Sequence, residues 1–311
     1  MSISKSSVSG QMATPIGDKL LEYLHDYMIF APQFFQNVAG ENKQLQQIKQ
    51  TANDRRPKMF DASKYIKRPY QRGETLRIPN IPRLHAQDKQ EGVEISDQGL
   101  TIGNVSLTIT MHKYVSVVIE DGADAYDNIS LADDMIKREA KALAEAFEDS
   151  VLSLFDDFTS EIGSGVGDVI TFDDFATMNK TFFKRGVNLD HTNAWAVLTP
   201  EQYAVLATQR DEYQFAADKA LGTFNSGRII ETPHGIYALR SNRLQSSGGA
   251  ASGLCFTENA MMAAFAILPR GEKSRDSRKV GTRYYADFMA GVAKLRDEEG
   301  IHLNFDSDSA V

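Results

Sequence analysis

Residues 130–158 read SLADDMIKREAKALAEAFEDSVLSLFDDF. Ile136, Ala140, Leu143, Phe147, Val151, Leu154 and Phe158 recur at steps of three and four, while Lys137, Arg138, Glu139, Lys141, Glu145 and Glu148 fill the remainder. That spacing puts one apolar stripe on a long helix whose other faces are solvated. Ser130 is a good N-cap, and Asp133 and Asp134 fall in the first turn, where acids favour the helix dipole. The spacing predicts a helix over 130–158, about seven turns long. Gly163-Ser164-Gly165-Val166-Gly167 follows it and reads as a flexible turn.

Toward the N-terminus the chain lacks the makings of a compact domain. Residues 1–10 are Ser-rich. Thr14-Pro15-Ile16-Gly17-Asp18 opens an amphipathic helix to about Met28, with Leu20, Leu21, Leu24 and Tyr27 on one face. Gln-rich residues 42–50 and the cluster Arg55-Arg56-Pro57-Lys58 complete an arm of nearly balanced charge, which reads as lying on something else. Thr75-Leu76-Arg77-Ile78-Pro79 alternates as a short strand. Val105 to Met111 alternates again, and Tyr114 to Ile119 continues it. The polar segment between them carries His85, Asp88, Lys89, Glu91 and Asp97, so the pair reads as a long hairpin with an extended tip. Pro79 and Pro82 suit an edge. A loop that long fits a hairpin that projects onto a neighbour, since roughly fifteen strand residues reach about 50 Å.

Toward the C-terminus the elements are shorter. Thr171 and Asp174 form a capping-box-like start for a helix to about Lys184, closed by Gly186. Ala194-Trp195-Ala196-Val197-Leu198 is a buried strand. Thr199-Pro200-Glu201-Gln202 then supplies N-cap, first-position proline and capping-box glutamine. Residues 210–227 read as a polar loop, 228–232 and 236–239 as strands, and 245–253 as a flexible surface loop. Thr257 caps an expected Ala/Met helix over 258–267, Arg283–Leu295 is a long strand, and Ile301–Phe305 closes the chain.

The 311 residues are 42% hydrophobic and 24% charged, ordinary for a globular chain. Thirty-four Lys+Arg stand against 42 Asp+Glu, a formal net charge of −8, which disfavours wrapping nucleic acid by phosphate neutralisation. The single cysteine, Cys255, excludes an internal disulfide and sits in a strand-like flank, as an inert core thiol. No signal-peptide core is present, and the longest apolar run, Ala260 to Leu268, is far short of the ~20 residues that cross a bilayer, so no membrane is expected. His25, His85, His112, His191, His234 and His302 show no metal-ligand spacing. The glycine run at 163–167 lacks a phosphate loop's Gly-Lys-Ser/Thr ending and follows a helix. The pairs Asp156-Asp157 and Asp173-Asp174 read as solvated acids. A hydrolase built from Cys255, Asp190-His191 or Ser241 has no nucleophile elbow behind it. Neither an enzyme nor a cofactor is expected.

The order of elements is arm, projecting hairpin, long helix, loop-rich mixed region and returning strand. It resembles the major capsid proteins of tailed bacteriophages, the Hong Kong 97-type fold shared with encapsulins. The resemblance rests on Gly73-Glu74-Thr75-Leu76-Arg77-Ile78-Pro79 with Leu107 to Glu120, on Ser130 to Phe158, on Ala196-Val197-Leu198-Thr199-Pro200-Glu201-Gln202-Tyr203, on Phe224 to Leu244 and on Arg283 to Arg296. It implies an α+β chain with an N-terminal arm (1–65) and an extended loop (66–112). The peripheral domain (113–167 and 275–311) would carry the spine helix 130–158, and the axial domain would span 168–274. It implies a shell of hexamers and pentamers around double-stranded DNA, assembled in a host cytoplasm. The partners implied are a portal, a separate scaffolding protein and a decoration protein. Inter-subunit contacts are expected at Arg72, Glu74, Arg77, Arg83, Lys89 and Glu91 of the loop, Arg55 and Arg56 of the arm, and Asp211 and Arg228 of the axial domain. Some members of the family cross-link covalently through Lys, Asn and Glu. Here Lys89 lies in the loop but no Asn or Glu partner can be assigned, and no cross-link is predicted. The alternatives are an encapsulin compartment, a cytoplasmic hydrolase, and a tail or baseplate component.

Overall fold

A computed structural model describes residues 19–21, 23–24, 27–30, 57–65, 73–80, 86, 88–89, 91–92, 94, 103–121, 131–189, 192–213, 229–232, 234–244 and 246–307. In chain order the elements are β1 (Phe60–Asp61), β2 (Thr75–Asn80), β3 (Gly103–Thr108), β4 (Met111–Glu120), α1 (Leu131–Leu152), β5 (Glu161–Gly165), α2 (Phe172–Lys184), β6 (Ala194–Leu198) and α3 (Pro200–Tyr213). There follow β7 (Ile229–Glu231), β8 (Ile236–Arg240), β9 (Ser246–Ser247), β10 (Ala250–Thr257), β11 (Met261–Asp276), β12 (Gly281–Lys294) and β13 (Gly300–Asp306).

The spine helix α1 stops at Leu152, short of the expected 158. The chain then tightens into a 3₁₀ turn over Phe155–Asp157. Ser150 and Ser153 bond back to the carbonyls of Ala146 and Ser150, a competition that weakens a helix end. Asp156 and Asp157 would also oppose the dipole of a longer helix. The tighter turn makes Phe155 and Phe158 the buried pair and leaves Leu154 half-buried.

Four strands, in the order β1-β11-β12-β4, form one sheet. Its two faces are covered by different parts of the chain. Met261, Ala263, Phe265, Ala286, Phe288 and Ala290 share a core with Ile136, Leu143 and Phe147 of α1. Met262, Ala264 and Leu295 face the β2–β3 hairpin, through Leu76, Ile78, Leu107 and Ile109. This corrects the helix expected over 258–267. A run apolar at every position suits a strand buried on both faces as well as a helix, and β11 is such a strand.

The second sheet has seven strands along β5-β13-β10-β6-β8-β7, with β9 paired to β10. β6, Ala-Trp-Ala-Val-Leu, lies inside it and is buried throughout. Ala194, Ala196 and Leu198 pack against Phe175, Met178 and Phe182 of α2 and Leu206 of α3. Trp195 and Val197 join the core of α1 on the other face. Both expected capping motifs form: Thr171 with Asp174 at α2, and Thr199 with Gln202 at α3. Gln202 also donates to the carbonyls of Phe305 and Asp306, tying α3 to the last strand. Helix α3 runs on to Tyr213, into the stretch expected to be a polar loop.

Two further expectations are corrected. Residues 161–165 form an edge strand, β5, parallel to β13. Gly163, at φ +101°, lies so close to β13 that a Cβ there would sit 2.1 Å from the Asn304 carbonyl oxygen. The supposed surface loop over 245–253 is a hairpin: Ser246 pairs with Ala251 and Ser247 with Ala250. Gly248 and Gly249, both at positive φ, form its two-residue turn. Strands β5 and β13, expected in the peripheral part, belong to the seven-stranded sheet, and β11, mostly expected in the axial part, belongs to the four-stranded one.

Candidate assembly surface

The hairpin is the first candidate. β2 and β3 pair antiparallel from Thr75↔Thr108 to Asn80↔Gly103. Their burial alternates, so one face is apolar and packs at home while Thr75, Arg77 and Pro79 point outward. The base is clamped. The Gly73 N–H donates to the Ile109 carbonyl (2.7 Å) and the Ile109 N–H to the Glu74 carbonyl (3.0 Å). Gly291 of β12 lies directly beneath, where a Cβ would come within 2.6 Å of the Thr108 carbonyl oxygen. Beyond Asn80 the described tip residues Ala86, Asp88, Lys89, Glu91, Gly92 and Glu94 are all exposed.

The arm behaves differently from expectation. Leu20, Leu21, Leu24, Met28 and Phe30 are buried in the same core as α1, so this part of the arm packs on its own chain. Tyr27, expected on the buried face, is 41% exposed and Met28 takes its place. Phe30 sits 6.3 Å edge-on to Phe155 and 6.2 Å from Phe256. The Ile29 N–H donates to Glu148 Oε1 at 2.6 Å. Burial pushes the Glu148 carboxyl up to about 7, although the Ile29 N–H and Arg243 pull the other way. Arg243, from the loop after β8, binds Asp149 bidentately and reaches Glu145 at 3.3 Å. Arm, spine and post-β8 loop therefore meet on one stretch of α1. Glu139, also buried, has a carboxyl pushed up to about 7 by burial, and its Oε1 has no hydrogen-bond partner. Both glutamates were expected on solvated faces. They flank the core positions Ala140 and Phe147, and only a wider buried face than the apolar stripe indicates would have revealed them.

A ladder of polar contacts crosses the four-stranded sheet beyond the hairpin. Asp287 on β12 accepts from Arg270 on β11 (2.7 Å) and contacts His112 on β4 (3.2 Å). Burial pushes the Asp287 carboxyl up, but those hydrogen bonds and charges outweigh it and hold it below its ordinary value. Tyr285 donates to Glu272, Arg283 binds Asp276, and Arg275 binds Asp121. Sequence patterning gave no sign of this ladder, because its members lie on three strands whose register only the fold supplies.

Of the expected contact residues, Arg77, Lys89 and Glu91 are exposed on the hairpin and Glu74 is half-buried at its base. The backbone of Asp211 lies in the last turn of α3. Arg55, Arg56, Arg72, Arg83 and Arg228 lie outside the described residues, as do Asp190 and His191. The described residues thus fall at separate places, the hairpin and the end of α3, and form no single cluster. Cys255 is fully buried, and burial pushes its thiol far above the ordinary range. Among the described residues no group of His, Cys, Asp and Glu could hold a metal ion, and no helix is long and apolar enough to cross a membrane.

No family model matches the chain, and no curated protein matches it either. Solved structures do. The capsid of the cyanophage P-SCSP1u superposes with a TM-score of 0.60 at 15% identity, over 79% of this chain and 86% of that one. The capsid of Ralstonia phage GP4 gives 0.62 at 13% identity, over 78% and 86%. The capsid asymmetric unit of cyanophage Pam1 gives 0.61 at 11% identity, over 81% and 89%. Hairpin, spine helix and both sheets together make the fold of the tailed-phage capsid proteins, the Hong Kong 97 type.

Proposed function

We propose that this chain is the major capsid protein of a tailed bacteriophage, a structural and non-enzymatic subunit. Copies associate as hexamers and pentamers into an icosahedral shell around double-stranded DNA. The observation that carries the reading is the likeness to phage capsid chains along nearly their whole length, 86–89% of each. The hairpin supports it: its base is fastened to the sheet, while the described tip residues are exposed. Many modest contacts then add up through closed symmetry. The net charge of −8 fits a shell that holds DNA by enclosure.

The partners that follow are a portal, a separate scaffolding protein and a decoration protein, with DNA packaged without sequence-specific contacts. Arg77, Lys89, Glu91 and Glu74 of the hairpin and Asp211 of α3 are the proposed inter-subunit contacts, with Arg55, Arg56, Arg72, Arg83 and Arg228 from the expected set. Arm (1–65) and extended loop (66–112) stand as proposed limits. The peripheral domain (113–167 and 275–311, with the spine helix) and the axial domain (168–274) stand likewise. The test is electron microscopy of the purified protein, expressed alone and with its scaffolding protein. Closed shells are expected with the scaffolding protein, and capsomers without regular shells in its absence. A monomer in sedimentation under every assembly condition overturns the reading, and regular shells from this chain alone overturn the separate scaffold.

A further inference from the structure

The two outer edges of the four-stranded sheet are unlike. On the β11 side, β1 covers only Met262 and Ala263. The rest of β11 is broken by register shifts between Phe265 and Ile267 and between Ile267 and Arg270. It also carries Pro269 and the charged residues Arg270, Glu272, Lys273 and Arg275. Irregularity, proline and charge are the usual means by which an edge is kept from pairing.

The β4 edge has neither a register shift nor a proline, and its charges, Lys113 and Glu120, stand near its ends and leave Tyr114–Ile119 uncharged. Its ten residues pair with β12 without a shift, from Met111↔Ala290 to Glu120↔Gly281. Among the described residues no strand pairs with its other side. The strand is rich in β-branched residues, with Val115, Val117 and Val118 half-buried and Tyr114 75% exposed. Such a strand offers a row of unused backbone N–H and C=O groups to an incoming chain.

The sequence of β4 says which chain. It runs Met-His-Lys-Tyr-Val-Ser-Val-Val-Ile-Glu and is followed by Asp121, so it is basic at one end, aliphatic in the middle and acidic at the other. A strand polarised in this way complements itself when antiparallel. A two-fold axis normal to the sheet keeps each face on its own side, so residues of equal parity must lie opposite each other. With Val117 on the axis, Lys113 falls opposite Asp121 of the second copy and Val115 opposite Ile119. Opposite charges and aliphatic pairs across strands are the favourable combinations. Lys113 and Glu120 are both exposed, which leaves the ends of the strand accessible.

We infer that β4 is a homotypic docking edge: it pairs antiparallel with β4 of a second copy about a two-fold axis at Val117, joining two four-stranded sheets into one. The inference rests on the capsid reading and names one interface within it. Cross-linking tests it. Cys255 is buried, so a cysteine placed by V117C is the accessible thiol. Only a residue on the axis brings two Cβ atoms to the ~4 Å that a disulfide needs. In assembled shells under mild oxidation, V117C is expected to give covalent dimers, about tenfold more than S116C, whose two copies lie diagonally. Adding Lys113→Glu sets acids against Asp121 at both ends and is expected to lower the yield about fivefold. Shells of V117C that remain monomeric on a denaturing gel overturn the edge pairing and leave the capsid reading standing. Efficient dimers through S116C overturn the register. An unaltered protein that stays monomeric even with its scaffolding protein overturns the capsid reading, and soluble V117C then decides the edge: dimers support it and monomers overturn it.

Discussion

The seven-stranded sheet is covered on its α2 face by elements close to it in sequence, the four-stranded sheet by distant ones. Helices α2 and α3 flank β6 in the chain and cover it through Phe175, Met178, Phe182 and Leu206. The four-stranded sheet takes α1 on one face and the β2–β3 hairpin on the other, and its α1 core also takes in Leu20, Leu24 and Phe30 of the arm. A core closed by local elements is fixed early and firmly. One closed by distant pieces can open piece by piece while the remainder stays folded. The capsid reading gives that difference a use, because the hairpin and arm must be free to adjust to neighbours.

The sharpest way to break the contrast is at its hinge residue. Phe147 is fully buried and stacks 5.2 Å from Phe265 with Phe288 edge-on at 6.3 Å, so it holds α1 to the sheet. Phe147→Ala is expected to cost about 4 kcal/mol. If the halves differ as described, urea unfolding of this variant shows the α1 side melting before the seven-stranded sheet. A single coincident transition in amide exchange along α1 and along α2, whose Phe175, Met178 and Phe182 pack away from α1, would erase the distinction.

Gly291 tests the hairpin face alone. A methyl group there meets the Thr108 carbonyl oxygen at 2.6 Å and the Ile109 Cα at 3.2 Å, both backbone atoms with little room to yield. Gly291→Ala is expected to cost about 3 kcal/mol, in the range of overpacked core substitutions. Amide protection should fall over 73–80 and 103–110 and remain over 194–198 and 301–305. Equal loss in both sets would mean that the hairpin is not a separable cover.

Acidity probes the arm's seat on α1. The Glu148 carboxyl is raised from the ordinary carboxylate range to about 7, by burial first, with the Ile29 N–H and Arg243 opposing and Glu145 and Asp149 adding to the rise. A carboxyl raised in the folded state binds its proton more tightly there. Its contribution is therefore fully present below about pH 4.5 and is lost as pH rises through about 7. Stability should fall between pH 5 and pH 8 by about 2 kcal/mol from this group. Glu148→Gln retains an acceptor for Ile29 and should match the unaltered protein near pH 5 while exceeding it by about that amount at pH 8. A parallel pH profile for the two proteins would exclude Glu148 as the source.

How much of this could be read in the chain follows from the kind of signal involved. The capping residues of α2 and α3, the period-two run of β2 and the stripe of α1 are local, and local chemistry decides them. The run expected as a helix over 258–267 gives no sign of β11, because a strand covered on both faces loses its alternation and what covers it lies at 76–109 and 136–147. Gly163 and Gly248-Gly249 looked like slack; one is a close approach to Asn304 and the others a two-residue turn, distinctions set by partners far along the chain. The pairing of the hairpin strands was legible, but the polar ladder around Asp287 and the buried Glu139 and Glu148 needed the register of three strands and the seat of the arm.

The smallest effect belongs to the locally closed half, and its size is the point. Thr171 caps α2 by exchanging hydrogen bonds with Asp174, whose carboxylate accepts from the Thr171 N–H at 2.7 Å and its hydroxyl at 2.8 Å. Thr171→Ala removes the hydroxyl and keeps the N–H contact, so about 1 kcal/mol should be lost. Because α2 is also held by Phe172, Phe175, Met178 and Phe182, the loss should appear as a shift of the whole transition and not as fraying of one helix. Amide exchange in α2 that rises ahead of exchange in β6 would show that this half, too, opens in pieces, and the contrast between the sheets would then be one of degree.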